Sequence, residues 1–176
     1  TTGNMINKDF AYGLLPRELD PFDDETFMSS KAAFYATITN MHTGQAEYVP
    51  LHSTWEQMDV IRASASLPII SRPVEWNGQK YLDGGLADNI PLGKCLELGC
   101  DKVIIVLTRP FGYVRKENLT AITRLCYPRY KNLHRTVQNR NENYNNRIKQ
   151  IEELEREGKM FVLRPSEEMF ISRLEK

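Results

Sequence analysis

The run Val103-Ile104-Ile105-Val106-Leu107, inside DKVIIVLTRP (101–110), restricts the possible folds more than any other stretch of this chain. Five apolar residues follow one another without polar alternation, so a strand built from them has no side suited to water. Strands of that kind belong to parallel sheets with both faces covered, and that is the expectation for 102–107. PLGKCLELG (91–99) runs straight into it as a short helix, with Pro91 near its first turn and Gly99 as its stop. Strands alternating with helices, plus one fully buried apolar strand, predict an α/β layered domain with a parallel-strand core.

The other elements agree with that class. AFYATITN (33–40) is β-branched and aromatic, hence a strand, and HTGQAEYVPL continues through a turn at Thr43-Gly44 into a returning strand. WEQMDVIRASASL (55–67) carries Trp55, Met58, Ile61 and Arg62 at helical spacing, with Thr54 as its cap and Pro68 as its stop. RPVEWNGQKYLDGG (72–85) predicts a hairpin, because Asn77-Gly78 supplies the two residues that tolerate positive φ in a type I′ turn. Beyond Pro110 a helix is expected over 118–127, interrupted by Pro128. A long helix follows over 129–157, with Tyr130, Leu133, Val137, Tyr144, Ile148, Ile151 and Leu154 on one stripe. Gly158 ends it, and KMFVLRP (159–165) predicts a last strand. The first thirty residues are turn-rich, with Asp20, Asp23, Asp24 and Glu25 crowded around Pro21. A surface loop packed down by Phe10, Tyr12, Phe22 and Phe27 is expected there.

Composition excludes several classes. A chain of 176 residues, 41% apolar and 26% charged, is neither disordered nor fibrous and can bury a sizeable core. Its net charge of zero argues against a chain built as a whole for nucleic acid or an anionic membrane. No apolar run approaches the roughly 18–20 residues that span a bilayer. Cys95, Cys100 and Cys126 make an odd count without a Cys-x-x-Cys pair, which fits a reducing cytoplasm. His42, His52 and His134 are scattered, with no metal-ligand spacing.

Asp83 stands directly before Gly84 and Gly85 at the end of the hairpin. A simple turn is one reading of such a corner. The other is a carboxylate fixed at a strand end, where glycine lets other backbone approach and a base can reach a nucleophile. A free aspartate, with a pKa of about 3.9, is a feeble base towards a serine hydroxyl. Partial burial beside the serine raises its basicity, so a Ser–Asp dyad works without histidine. Ser64 and Ser66, in RASASLP, are the nearest candidates, but neither sits on a glycine-flanked elbow; small residues there suit a tightly packed helix end. Asp88 and Asn89 lack the spacing of a calcium loop and are expected to cap the helix near Pro91. Arg129, Lys131, Arg135, Arg140, Arg147 and Lys149 face only Glu142 among acids. A solvated helix face is expected, with docking on anionic lipid or nucleic acid as the sharper alternatives. Cys95 and Cys100 are expected as buried packing.

Residues 59–110, DVIRASASLPIISRPVEWNGQKYLDGGLADNIPLGKCLELGCDKVIIVLTRP, closely resemble the distal part of patatin-like phospholipases. There a helix ending in a D-x-I-x-A-S-x-[SA]-x-P-like segment leads to a hairpin that delivers a D-G-[GA] motif, and a short helix and a parallel strand follow. FYATITNMHTGQAEYV (34–49) resembles the strand pair just before it, and PFDDETF (21–27) the preceding loop. The likeness is strong over 31–110, is nearest to the bacterial members, and is less specific over 111–176, the family's variable helical part.

The resemblance implies hydrolysis of lipid acyl esters by a serine on a Gly-x-Ser-x-Gly elbow, with the Asp of D-G-[GA] as base and an upstream glycine-rich oxyanion hole. Asp83 is the position that matches, supported by Gly84 and Gly85. No Gly-x-Ser-x-Gly occurs in the sequence, so the implied nucleophile is not in this chain. The chain is therefore expected to be a C-terminal fragment of a longer hydrolase, inactive alone. Residues 1–110 would be the C-terminal part of the catalytic domain and 111–176 a mainly helical region. The implied substrate is a lipid acyl ester, with no metal, no cofactor and no nucleic acid. The implied setting is cytoplasmic with peripheral membrane contact, and self-association of the fragment is expected. A non-catalytic patatin-like module that binds a protein or lipid is the competing reading.

Overall fold

Two tight turns decide the larger sheet of the computed structural model, which describes residues 7–117 and 119–167. Gly44, at φ 71°, turns β1 (Phe34–Asn40) back onto β2 (Ala46–Leu51), and the Asn40 side chain accepts the His42 and Thr43 amides to hold that turn. Asn77 and Gly78, at φ 47° and 71°, join β3 (Val74–Trp76) to β4 (Gln79–Asp83) as the sequence predicts. β1 also pairs antiparallel with β4, giving the order β2-β1-β4-β3.

Alternation along these strands feeds two apolar clusters. Tyr81 and Leu82 are consecutive on β4 and point to opposite faces. On Tyr81's side lie Ile38, Val49, Leu51 and Val74, with Val60 and Ala63 of α2 (Met58–Ser64). On Leu82's side lie Met41 and Leu86, with Leu133 and Val137 from the first turns of α5 (Lys131–Arg156). Ile38, Leu82 and Leu133 are fully buried. Each contributes about 1.5–3 kcal/mol relative to exposure.

The chain divides into two units. The one just described runs to Ile90 and resumes as far as Arg140; the other comprises Pro91–Glu117 and resumes at Asn141. Residue 118, where the 118–127 helix was expected to begin, lies outside the described residues, as does the closing stretch 168–176; α4 is Thr120–Cys126. In the second unit α3 (Leu92–Glu97) ends at Gly99, φ 73°. There β5 (Ile104–Val106) pairs in parallel with β6 (Phe161–Leu163). The rest of α5 buries Tyr144 and Ile151, and the Arg115 guanidinium lies 4.2 Å from the Tyr144 ring centroid.

Four expectations are corrected here. The parallel element is confined to the β5–β6 pair, because hairpin turns make the main sheet antiparallel. Within that pair Ile105 and Val162 are buried, whereas Ile104 is 67% exposed and Val106 71%, so 102–107 is covered on one face among the described residues. The N-terminal stretch is not a plain surface loop. Phe10–Leu19 winds as a wide helix, with the Asp20 amide bonded to the Leu15 carbonyl, and α1 (Asp24–Ser29) follows, capped by the Asp23 carboxylate. Phe27 packs against the core and Tyr12 is half-buried, while Phe10 and Phe22 stay largely exposed. Finally, α2 starts at Met58 rather than 55. The Gln57 side chain accepts the His52 and Ser53 amides and holds 52–57 as a turn, and the Thr54 amide goes to Asp24 instead of Thr54 capping the helix.

Candidate active site

Strand β4 ends at Asp83, whose amide donates to the Ser66 carbonyl at 2.8 Å. Its place opposite Ile38 of β1 fixes its height on the sheet. The chain then closes a single 3-10 turn over Gly84–Leu86, and Asp83 Oδ1 accepts the Gly85 amide at 2.7 Å. The two glycines differ in what an added side chain would meet. A Cβ on Gly84 would lie 2.1 Å from the Thr37 carbonyl oxygen. On Gly85 it would meet Asp83 Oδ1 at 3.0 Å and Asn89 Nδ2 at 3.3 Å, both side-chain atoms. The first glycine lets the corner sit against β1; the second makes room for the carboxylate that it also binds.

Three further residues fasten the corner, none of which the sequence reading placed there. Thr39, fully buried, donates its hydroxyl to the Asp83 carbonyl at 2.8 Å, and Thr39 Oγ1 also accepts the Ala87 amide at 3.3 Å. Asn89 Nδ2 donates to the Gly85 carbonyl at 2.5 Å. Arg140 Nε donates to that same carbonyl at 2.9 Å. Arg140 is buried at 8% exposure, which corrects its placement on a solvated basic face; Arg129, Lys131, Arg135 and Lys149 do remain exposed. The signal was available. Leu133, Val137, Arg140, Tyr144 and Ile151 fall in one helical phase, and grouping Arg140 by charge hid its position in the apolar stripe.

The remaining candidates fall into place around this corner. Ser66 is buried, its hydroxyl donates to the Arg62 carbonyl at 2.7 Å, and its own carbonyl receives the Asp83 amide. It is a tie between helix end and strand end. Ser64 closes α2. Asp88 and Asn89 do not cap α3, whose cap position is Pro91 with no side-chain bond. Asp88 accepts the Tyr48 hydroxyl at 2.6 Å and the Ile90 amide, and Asn89 turns back to Gly85. Cys95 is half-buried and Cys100 exposed, so the expected buried packing does not hold for either. Among the described residues no group of three or more His, Cys, Asp or Glu could hold a metal ion. No described helix is long and apolar enough to cross a membrane.

A half-buried carboxylate results, standing at a strand end on a corner whose backbone is bonded from β1, from α5 and from the loop that follows the corner. Such a group can accept a proton at a fixed point without reorganising. Residues 4–96, more than half of the chain, match the family model described as patatin-like phospholipase. The chain belongs to the patatin-like phospholipase family. Residues 130–176 match a second model, described as a domain of unknown function (DUF6363). Among similar proteins, the patatin-like chain is 28% identical over 113 residues to the uncharacterized protein YjjU of Escherichia coli strain K12, covering 61% of this chain and 31% of that protein. It is 30% identical over 106 residues to lysophospholipase nte1 of Aspergillus niger, covering 60% of this chain and 6% of that protein. It is 36% identical over 73 residues to lysophospholipase NTE1 of Saccharomyces cerevisiae, covering 42% and 4% respectively. This patatin-like chain thus matches a third or less of the length of these relatives.

Proposed function

We propose that this chain is the C-terminal part of a lipid acyl hydrolase of bacterial type and supplies its catalytic base, Asp83. The nucleophilic serine and the oxyanion donors lie on a preceding part of the same protein. The observation that carries the reading is the Asp83 corner, in which Gly84 and Gly85 have the contacts that a fixed carboxylate needs. Family membership and the lysophospholipases among the relatives support a lipid acyl ester as substrate. Asp83 takes the serine proton as the hydroxyl attacks the ester carbonyl, and returns it to the leaving alcohol. It then takes a proton from the water that attacks the acyl-enzyme and passes it to the serine oxygen as the fatty acid leaves. The scheme uses neither metal nor cofactor. Residues 1–110 belong to the catalytic domain in this proposal and 111–176 form its helical extension. The work is done in the cytoplasm, in peripheral contact with the lipid surface that holds the substrate. The isolated chain self-associates through the exposed β5–β6 face.

The test needs the protein that carries this chain together with its serine. Asp83→Asn keeps an acceptor for the Gly85 amide but takes no proton. It is expected to lower kcat roughly 10²–10⁴-fold with little change in melting midpoint. Glu75→Gln, on the exposed side of the same hairpin, is expected to keep full activity. The 176-residue chain alone is expected to leave a p-nitrophenyl ester intact. An Asp83→Asn protein with unchanged kcat makes the corner a turn and removes Asp83 from the reaction, whereas a parent protein without hydrolysis leaves the non-catalytic module as the reading. Hydrolysis by the chain alone that Ser64→Ala or Ser66→Ala abolishes would put the nucleophile at or just past the end of α2 instead.

A further inference from the structure

We propose that Arg140 is a positioning residue for Asp83, delivered by the first turns of α5, and that these turns are part of the catalytic machinery. The proposal rests on the reading of Asp83 as the base. Asn132, Thr136 and Arg140 are spaced four residues apart and so share one face of the helix. Each donates to a main-chain oxygen of the patatin-like part. Asn132 Nδ2 reaches the His42 carbonyl at 2.9 Å, Thr136 Oγ1 the Gly44 carbonyl at 2.6 Å, and Arg140 Nε the Gly85 carbonyl at 2.9 Å. The approach is close enough that a Cβ on Gly44 would lie 2.6 Å from Thr136 Oγ1 and 2.7 Å from the Asn132 carbonyl oxygen.

Arg140 does not sit where a helix of this pattern tolerates charge. It occupies the apolar stripe between Val137 and Tyr144, where a leucine would follow the phase. Desolvating a guanidinium is costly, and arginine side chains are in general always charged in proteins. Simple packing would be served better by an apolar side chain.

What the guanidinium holds explains its presence. Gly85 is the joint of the corner: its amide points at Asp83 Oδ1, and its carbonyl faces away. The Gly85 amide shares a planar peptide with the Gly84 carbonyl, which accepts the Ala87 and Asp88 amides at 3.1 and 2.9 Å, but glycine's freedom at φ and ψ leaves the peptide on its other side to be held separately. Asn89 and Arg140 both bond the Gly85 carbonyl and clamp that plane. Arg140 thereby holds one side of the residue whose amide binds the carboxylate, and the Gly84 carbonyl bonds hold the other. The segment from residue 130 is in this view a brace for the base.

The experiment uses the protein that contains both this chain and the serine, assayed on a p-nitrophenyl ester well below its melting midpoint. Arg140→Met keeps the apolar stem and loses the donor. It is expected to lower kcat about 10- to 100-fold with KM nearly unchanged, the effect of a misplacement of about 1 Å. Arg140→Lys, which keeps charge and a donor, is expected to recover part of the loss. In an Asp83→Asn background Arg140→Met is expected to add almost nothing, because the group it positions no longer takes a proton. A folded Arg140→Met protein with unchanged kcat overturns the proposal. So does a full multiplicative loss in the Asp83→Asn background, which is what a structural role alone would give. If Arg140→Met does not fold, Arg140→Lys decides. Faster hydrogen exchange at the Gly85 and Ala87 amides together with a lowered kcat supports positioning, and an unchanged kcat overturns it. Asp83→Asn run in parallel separates the two failures. If it keeps its kcat, the base assignment itself falls; if it is inactive beside a fully active Arg140→Met, only the role of Arg140 falls.

Discussion

At the scale of single residues, the two glycines after Asp83 have unequal tolerance. An added methyl at Gly84 strikes the Thr37 main chain, which cannot withdraw without parting β1 from β4. At Gly85 it strikes only the ends of side chains, which can give way. Gly84→Ala is therefore expected to cost about 3 kcal/mol or to prevent folding, and Gly85→Ala about 1 kcal/mol. Melting midpoints of the two variants check this, and equal losses would refute the close approach to Thr37 as the cause. The Asp-Gly-Gly pattern made this corner legible before any coordinates, because its constraint is local. Thr39 and Asp24 were not legible. Their partners lie tens of residues away, and a threonine in a strand and one acid among four carry no local mark, whereas Arg140 was marked by its phase in the apolar stripe.

At the scale of elements, Asp24 shows how a short helix is tied down. It is buried at the start of α1, accepting the Ser53 hydroxyl at 2.9 Å and the Thr54 amide at 2.6 Å. Burial pushes its carboxyl up, but the hydrogen bonds from the Thr54 amide and the Ser53 and Thr54 hydroxyls outweigh it, and the pKa lies below the ordinary value of 3.8. Asp23, which caps the same helix, is lowered by its hydrogen bonds from Thr26. A carboxyl with a depressed folded pKa contributes stability that is present above its unfolded pKa and lost as pH falls through the folded one. The melting midpoint should therefore fall below about pH 4. In Asp24→Asn it should start lower at neutral pH and fall less steeply, since only the Asp23 share remains. Thermal scans from pH 7 to pH 2.5 test this, and parallel curves for the two proteins would refute it. Element existence was readable throughout 33–163, because hydrophobic period and turn chemistry agree there. Boundaries were readable only where glycine or proline sets them, as at Gly78, Gly99 and Gly158, all with positive φ. The start of α2 escaped because Gln57, not Thr54, organises it.

At the scale of the whole molecule, the β5–β6 pair presents Ile104, Val106, Phe161 and Leu163 outward, each between 47% and 71% exposed. Clustered apolar exposure of this kind drives association. The isolated chain is expected to gain mass with concentration in sedimentation experiments, and Ile104→Lys with Phe161→Lys to hold it monomeric. A parent chain that stays monomeric over the same range and unfolds in one sharp transition at high temperature would refute this. The unbroken apolar run did announce a parallel strand. It did not announce how much of a sheet the described residues supply to cover it, because that depends on neighbours outside the run. The grip of α5 on main-chain oxygens has a different consequence, in how the protein can change over generations. Side chains at positions such as His42 are free to drift without loosening the helix, since their carbonyls remain whatever the residue. Gly44 has no such freedom, because a Cβ there would strike the Asn132 main chain. The receiving surface can therefore become unrecognisable by sequence while the dock persists, and the three donors one helical turn apart are the part of it that selection must keep.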